Sequence, residues 1–117
     1  MPETQPSTIL GDVKDILAID KDYTVFDSQL KLHINTAMST LNQLMVGPEN
    51  GFYLVTGNES WSDYIEDVDN IENVKTLIAM KVRLIFDPPH TSSAITAIET
   101  LLKELAWRLN ANMEGVR

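Results

Sequence analysis

Glu49, Glu59, Asp63, Glu66, Asp67, Asp69 and Glu72 fall in an interval, Lys31 to Lys75, that holds no other Lys or Arg. Carboxylates at that density can do three kinds of chemistry. Paired, as Asp63 and Glu66 stand three residues apart, they can divide acid and base work in a hydrolase, one carboxyl kept neutral by its surroundings. Nothing in the flanking residues marks a cleft for that pair. Set around a turn, carboxylates can ligate calcium, but the alternating acids, central glycine and closing glutamate of such a loop are missing. Left unpaired, they make a solvated acidic face. A wall of that kind repels a polyanion and lets it slide.

The remaining chemistry is sparse. His33 and His90 are far apart and lack a ligand pattern. The chain has no glycine-rich phosphate cradle, no nucleophile elbow and no zinc spacing. It has no cysteine, hence no disulfide, thiolate ligand or thiol nucleophile, and a reducing compartment fits. No enzyme activity, metal or cofactor is expected. A formal charge of −8 and a pI near 4.5 argue against tight, nonspecific binding of nucleic acid. A helical DNA-binding or regulatory protein would need a basic recognition helix, and the last helical stretch offers only Lys103 and Arg108 among acids.

The elements that carry these residues are read from periodicity. The chain of 117 residues suits one domain, and its apolar mass is mostly Leu, Ile and Met, which favours helices. Residues 1–7 read as a flexible arm, 8–113 as a single helical domain and 114–117 as a short tail. The fold expected is mainly α, a small bundle of about four helices. A first helix starts at Ser7 or Thr8, with Ile9, Leu10, Val13, Ile16 and Leu17 on one face. A second runs from about Thr24 to Val46, with Thr24 and Asp27 at capping-box spacing and Gly47-Pro48 as the stop. A third spans Asn70 to Phe86, its first amides served by Asp69 and Glu72. A fourth runs from Ser92 to about Met113, with Ile95, Ile98, Leu102, Leu105 and Leu109 as its seam and Glu99–Lys103 and Glu104–Arg108 as supporting ion pairs. Residues 47–68 form a long, partly extended loop in which "FYLV" reads as a short strand. Its aromatic residues, Phe52, Tyr53, Trp61 and Tyr64, argue against disorder. The polar N-terminus is no signal peptide, and no apolar run approaches the roughly 18 residues of a membrane span.

Three features do not fit a plain bundle. Trp107 lies about 160° from the centre of its helix's seam, so either the 47–68 loop folds over it or another subunit does. Lys81 interrupts the apolar stripe Val74, Leu77, Ile78, Ile85, so its ammonium must snorkel to water or meet a carboxylate, across a subunit boundary in the sharper reading. Between the two most regular helices stands an elbow, Phe86-Asp87-Pro88-Pro89, in which two prolines fix backbone angles and remove two donors.

The order of these signals is similar to that of the head–tail connector proteins of tailed bacteriophages, the adaptor or head-completion family. The resemblance covers about residues 12–110. It rests on "DVKDILAID", "FDSQLKLHINTAMSTLNQL", "YLVTGNESWSDYI" and, most specifically, "KVRLIFDPPHTSSAITAIETLLKELAWRLN". It implies a non-enzymatic, mostly helical virion subunit at the head–tail junction, made in the host bacterial cytoplasm. It implies a homo-oligomeric ring, about twelve copies closing through a heterologous contact. The ring would dock on the portal protein and receive a stopper or tail-completion protein, with DNA passing through its channel. Contact with the portal by the C-terminal "ANMEGVR" would be short. Another structural subunit of the virion is the nearest alternative. Within the ring reading, Lys81, Arg83, Trp107 and Arg108 are the candidate subunit-interface residues, and the proline elbow sets a preset angle between helices. Glu66, Asp67 and Asp69 are the candidate channel-facing acids.

Overall fold

The computed structural model describes residues 7–65 and 70–114. Five helices follow one another: α1 (Ile9–Ile16), α2 (Asp27–Gln43), α3 (Trp61–Tyr64), α4 (Ile71–Phe86) and α5 (Ser92–Glu114). Four are the helices expected from periodicity, and α3 is a single turn inside the long loop. Among the described residues there is no strand, only one isolated antiparallel bridge between Thr8 and Ser60.

The core is the sum of the apolar stripes. Ile9, Leu10, Val13 and Leu17 of the first helical segment meet Leu30, Ile34, Ala37, Met38 and Leu41 of α2 and Val74, Leu77, Ile78 and Val82 of α4. Helix α4 is apolar nearly all round because α1, α2 and α5 each cover part of it. Contacts at the helix ends set the directions. Phe26, just before α2, meets Phe86, at the end of α4, edge-to-face at 5.1 Å, so α2 and α4 run antiparallel. Asn110 Nδ2, near the end of α5, donates to the Leu44 carbonyl beyond the end of α2, so α5 runs back alongside α2.

Helix ends depart from expectation in instructive ways. Thr8 caps α1 by accepting from the Gly11 amide, as expected. Helix α2 begins at Asp27 rather than Thr24, Phe26 has no side-chain acceptor to cap it, and the Asp27 carboxylate meets Lys14 instead of closing a capping box with Thr24. It ends at Gln43, four residues before Gly47. The left-handed residue that stops it is Met45, at φ 69°, and Val46 and Met45 amides bond the Leu41 and Asn42 carbonyls. Ala18, at φ 62°, closes α1 the same way. Gly47 has its own requirement, since at φ 89° a Cβ there would stand 2.6 Å from the Tyr64 ring. Asp69 lies outside the described residues.

Helix α4 ends at Phe86, immediately before Asp87-Pro88-Pro89. Asp87 is the C-cap of α4, its amide bonding the Arg83 carbonyl, and Pro88 and Pro89 follow. Thr91 then opens α5, its Oγ1 accepting from the Ala94 amide and its carbonyl from the Ile95 amide. On α5 only Leu105 and Leu109 of the seam are fully buried, while Ile95, Ile98 and Leu102 are half-covered.

Candidate functional site

Two surfaces flank α2. The first is the loop after it. Leu54 turns inward and is buried, and the Asn35 side-chain amide grips it at both ends. The Leu54 N–H donates to Asn35 Oδ1 at 2.6 Å, and Asn35 Nδ2 donates to the Leu54 carbonyl at 3.1 Å. The extended stretch that reads as a strand therefore pairs with a side chain, not with another strand. Beyond it, Glu59 closes the turn. Its carboxylate accepts from the amides of Val55, Thr56 and Gly57, at 2.7, 3.1 and 2.9 Å. Burial acts to raise this carboxyl's pKa, but the amides of Val55, Glu59, Thr56 and Gly57 outweigh it and hold the pKa down at about 2. Lys31 Nζ donates to the Val55 carbonyl. With Leu54 pointing in, its neighbours point out: Tyr53 is 55% exposed and Val55 75%.

Trp61 and Tyr64 anchor the far end of this loop. Trp61 is buried, its Nε1–H donates to Asp12 Oδ2 at 2.7 Å, and the Lys75 ammonium sits 5.3 Å from its ring centroid. Ser60 and Asp63 form the capping box that starts α3. Asp63 is thus a structural cap, and its proposed acid partner Glu66 lies outside the described residues.

The second surface is a cleft of about 130 Å³ among α2, α4 and α5, lined by His33, Thr36, Ala37, Lys81, Leu84, Ile85 and Leu102. Lys81 is half-buried in its wall, and among the described residues no carboxylate pairs with it. Ile85, which reads as core from its spacing, is more than half exposed at the rim. Arg83 is half-buried, and among the described residues its Nε has no hydrogen-bond partner. Trp107 belongs to neither surface. It is 72% exposed on the outward side of α5, and the 47–65 loop does not cover it. Arg108 beside it pairs with Glu104 at 2.6 Å, whereas Glu99 and Lys103 do not pair with each other. Glu66, Asp67 and Asp69 lie outside the described residues.

The most buried amine is one that sequence reading passed over. Lys14 is 2% exposed and its Nζ donates to Asp27 Oδ1 at 2.8 Å and to the carbonyls of Lys21 and Tyr23 at 3.0 and 2.7 Å. One ammonium thereby ties the α1–α2 connector to both helices. The signal was present: Lys14 lies one turn after Leu10 and just short of one turn before Leu17, on the same stripe.

Among the described residues no group of His, Cys, Asp or Glu is placed to hold a metal ion, and no helix is long and apolar enough to cross a membrane. Comparison with known proteins agrees with the order of motifs. A family profile described as phage connector protein matches residues 9–116. No curated protein and no solved structure matches the chain. The profile spans nearly the whole chain and every element just described, and the chain belongs to the phage connector protein family.

Proposed function

We propose that the chain is the repeating subunit of a ring at the portal vertex, which completes the phage head, joins it to the tail and lets DNA pass through its channel. Membership of a family of phage structural connectors makes it a virion component that associates with head and tail proteins. The observation that carries the finer reading is the uncovered indole of Trp107. A large, rigid aromatic side chain left in water on a regular helix is what a subunit interface buries, and Trp is enriched among interface anchors. Lys81, Arg83 and Arg108 are proposed to join it at contacts between subunits or with neighbouring rings. Lys81 and Arg83 are half-buried, and a half-buried cation that lacks a carboxylate of its own is stabilised by one from outside, whereas Arg108, already paired with Glu104, is proposed for its place beside Trp107.

The ring, of roughly twelve copies, would close through one patch meeting a different patch on the neighbour. The portal protein would lie above it and a stopper or tail-completion protein below. Each contact would bury on the order of 1,200 Å² or more if the ring is stable by itself. Glu66, Asp67 and Asp69 are proposed to face the channel, where like charge keeps the duplex mobile. Changing all three to amides should then slow ejection or make DNA binding detectable, and an unchanged phenotype places them on the outer wall.

Native mass measurement of the purified chain, with imaging of particles made without it, tests the whole reading. A ring together with filled heads that leak DNA or lack tails is the expected result. A monomer whose loss leaves intact, tailed particles overturns it.

A further inference from the structure

We propose that the Tyr53–Val55 edge of one copy seats in the α2–α4–α5 cleft of the next, so that these two surfaces are the two halves of the head-to-tail contact. The inference rests on the ring reading and specifies which patch meets which.

Position is the first argument. The loop edge is fastened to α2 through Lys31 and Asn35, and the cleft uses His33 and Thr36 of the same helix. Two residues turn a helix by about 200°, so His33 and Asn35 lie on nearly opposite sides of α2. A ring needs two different patches on opposite flanks of the protomer, which is this arrangement. Trp107 does not qualify as the inserting group. It stands five residues along α5 from the cleft residue Leu102, about 140° round the helix, so it faces away from the cleft, and it is not part of the loop edge.

Size and order are the second. About 130 Å³ equals the liquid volume of roughly four waters, which suits one small branched side chain such as Val55, with the Tyr53 ring across the rim at Ile85. The inserting edge is already set in shape. Asn35, Glu59 and Lys31 fix its backbone, so docking costs little conformational freedom.

Charge is the third. The cleft wall carries the Lys81 ammonium, which has no carboxylate partner among the described residues. The loop edge carries Glu59, ionised at any ordinary pH, and borders the Pro48–Gly51 turn that bears Glu49, against the single cation Lys31. Bringing the two together sets carboxylates of one copy near the amine of the next.

The absence of native cysteine makes the test direct. Val55→Cys and Thr36→Cys, both at exposed positions, are placed in one chain and separately in two. Mild oxidation is applied to the concentrated purified chain and to assembled particles, followed by non-reducing electrophoresis and native mass measurement. The double variant is expected to give a ladder of covalent multimers that ends at the closed ring, with no covalent dimer from either single variant. Val55→Asp, without cysteines, is expected to weaken association at least tenfold while leaving the melting temperature unchanged. Rings that form without a ladder, a disulfide dimer from Val55→Cys alone, or normal association of Val55→Asp overturn this pairing and leave the ring reading standing. A chain monomeric in both settings overturns the two together.

Discussion

Two lysines interrupt apolar stripes in this chain, and they meet opposite fates. Lys81 stays half in water at the wall of a cleft. Lys14 is enclosed, and it is tolerated because three acceptors surround its three protons. Replacing Lys14 with Met keeps the packing volume but leaves Asp27 and two inward-facing carbonyls without their donor. Asp27 is 27% exposed and recovers some hydration, so the cost should sit below that of breaking a fully buried pair, at about 2–3 kcal/mol. Thermal and urea unfolding should show it, and a loss under about 0.5 kcal/mol would mean the ammonium contributes nothing net. Glu59 gives a pH signature. Its carboxyl goes from an ordinary 4.5 in the unfolded chain to about 2 in the folded one. Its contribution to stability is therefore complete above about pH 4.5 and fades as pH falls towards 2. Glu59→Gln should melt lower than the wild type at neutral pH, and the two curves should converge as pH approaches 2. Parallel curves across that range would show that the amide cage does not act through the charge.

At the scale of elements, what was legible followed from repetition, and what was not depended on single tertiary partners. The stripes of α2, α4 and α5 repeat over four or more turns, so their existence and facing could be read from spacing. Their ends could not. Thr24 and Asp27 have a capping-box spacing, yet Asp27 serves Lys14, thirteen residues away, and the cap is absent. Gly47-Pro48 reads as a stop, yet the chain has already left the helix through Met45. The segment 52–55 has strand composition, but side chains hold it, Asn35 at Leu54 and Lys31 and Glu59 at Val55, contacts no pattern announces. The proline elbow was legible because its constraint is local and covalent. The candidate interface residues were found only as misfits to a stripe. The left-handed helix ends carry their own prediction. Ala18 is exposed and adopts φ 62°, where a Cβ costs roughly 1–2 kcal/mol. Ala18→Gly removes that cost and loses part of it to greater freedom of the unfolded chain, for a net gain of about 0.5–1 kcal/mol. Met45→Gly should gain less, since Met45 also packs against the core. A lower melting temperature for Ala18→Gly would argue that the α1 terminus does not close through a left-handed residue.

For the molecule as a whole, the question is how a chain this small would fix the angle at which it meets a neighbour in the proposed ring. Helix α5 is held to the rest mainly at its far end, by Leu105, Leu109 and the Asn110 bond to Leu44. Its first half has only half-covered residues and takes its direction from the elbow. The elbow is itself fixed twice, by the two proline rings and by the Tyr23–Phe26–Phe86 stack that fastens the end of α4 to the start of α2. Leu102, on the wall of the cleft, follows that first half. Loosening the elbow should therefore leave the core intact and blur the surface proposed to match another copy. In the proposed ring the same angular error would recur at every contact, so a small loss of precision within a subunit becomes a large loss of closure. Replacing Pro88 and Pro89 together with Ala raises unfolded-chain entropy by about 1–2 kcal/mol and breaks no hydrogen bond, so the monomer should still fold and melt only a few degrees lower. Its rings, counted by native mass measurement at equal concentration, should fall at least tenfold or spread over several copy numbers. If that variant closes as uniformly as the wild type, the direction of α5 is set by the Leu105–Leu109 packing alone, and the prolines do no more than end α4.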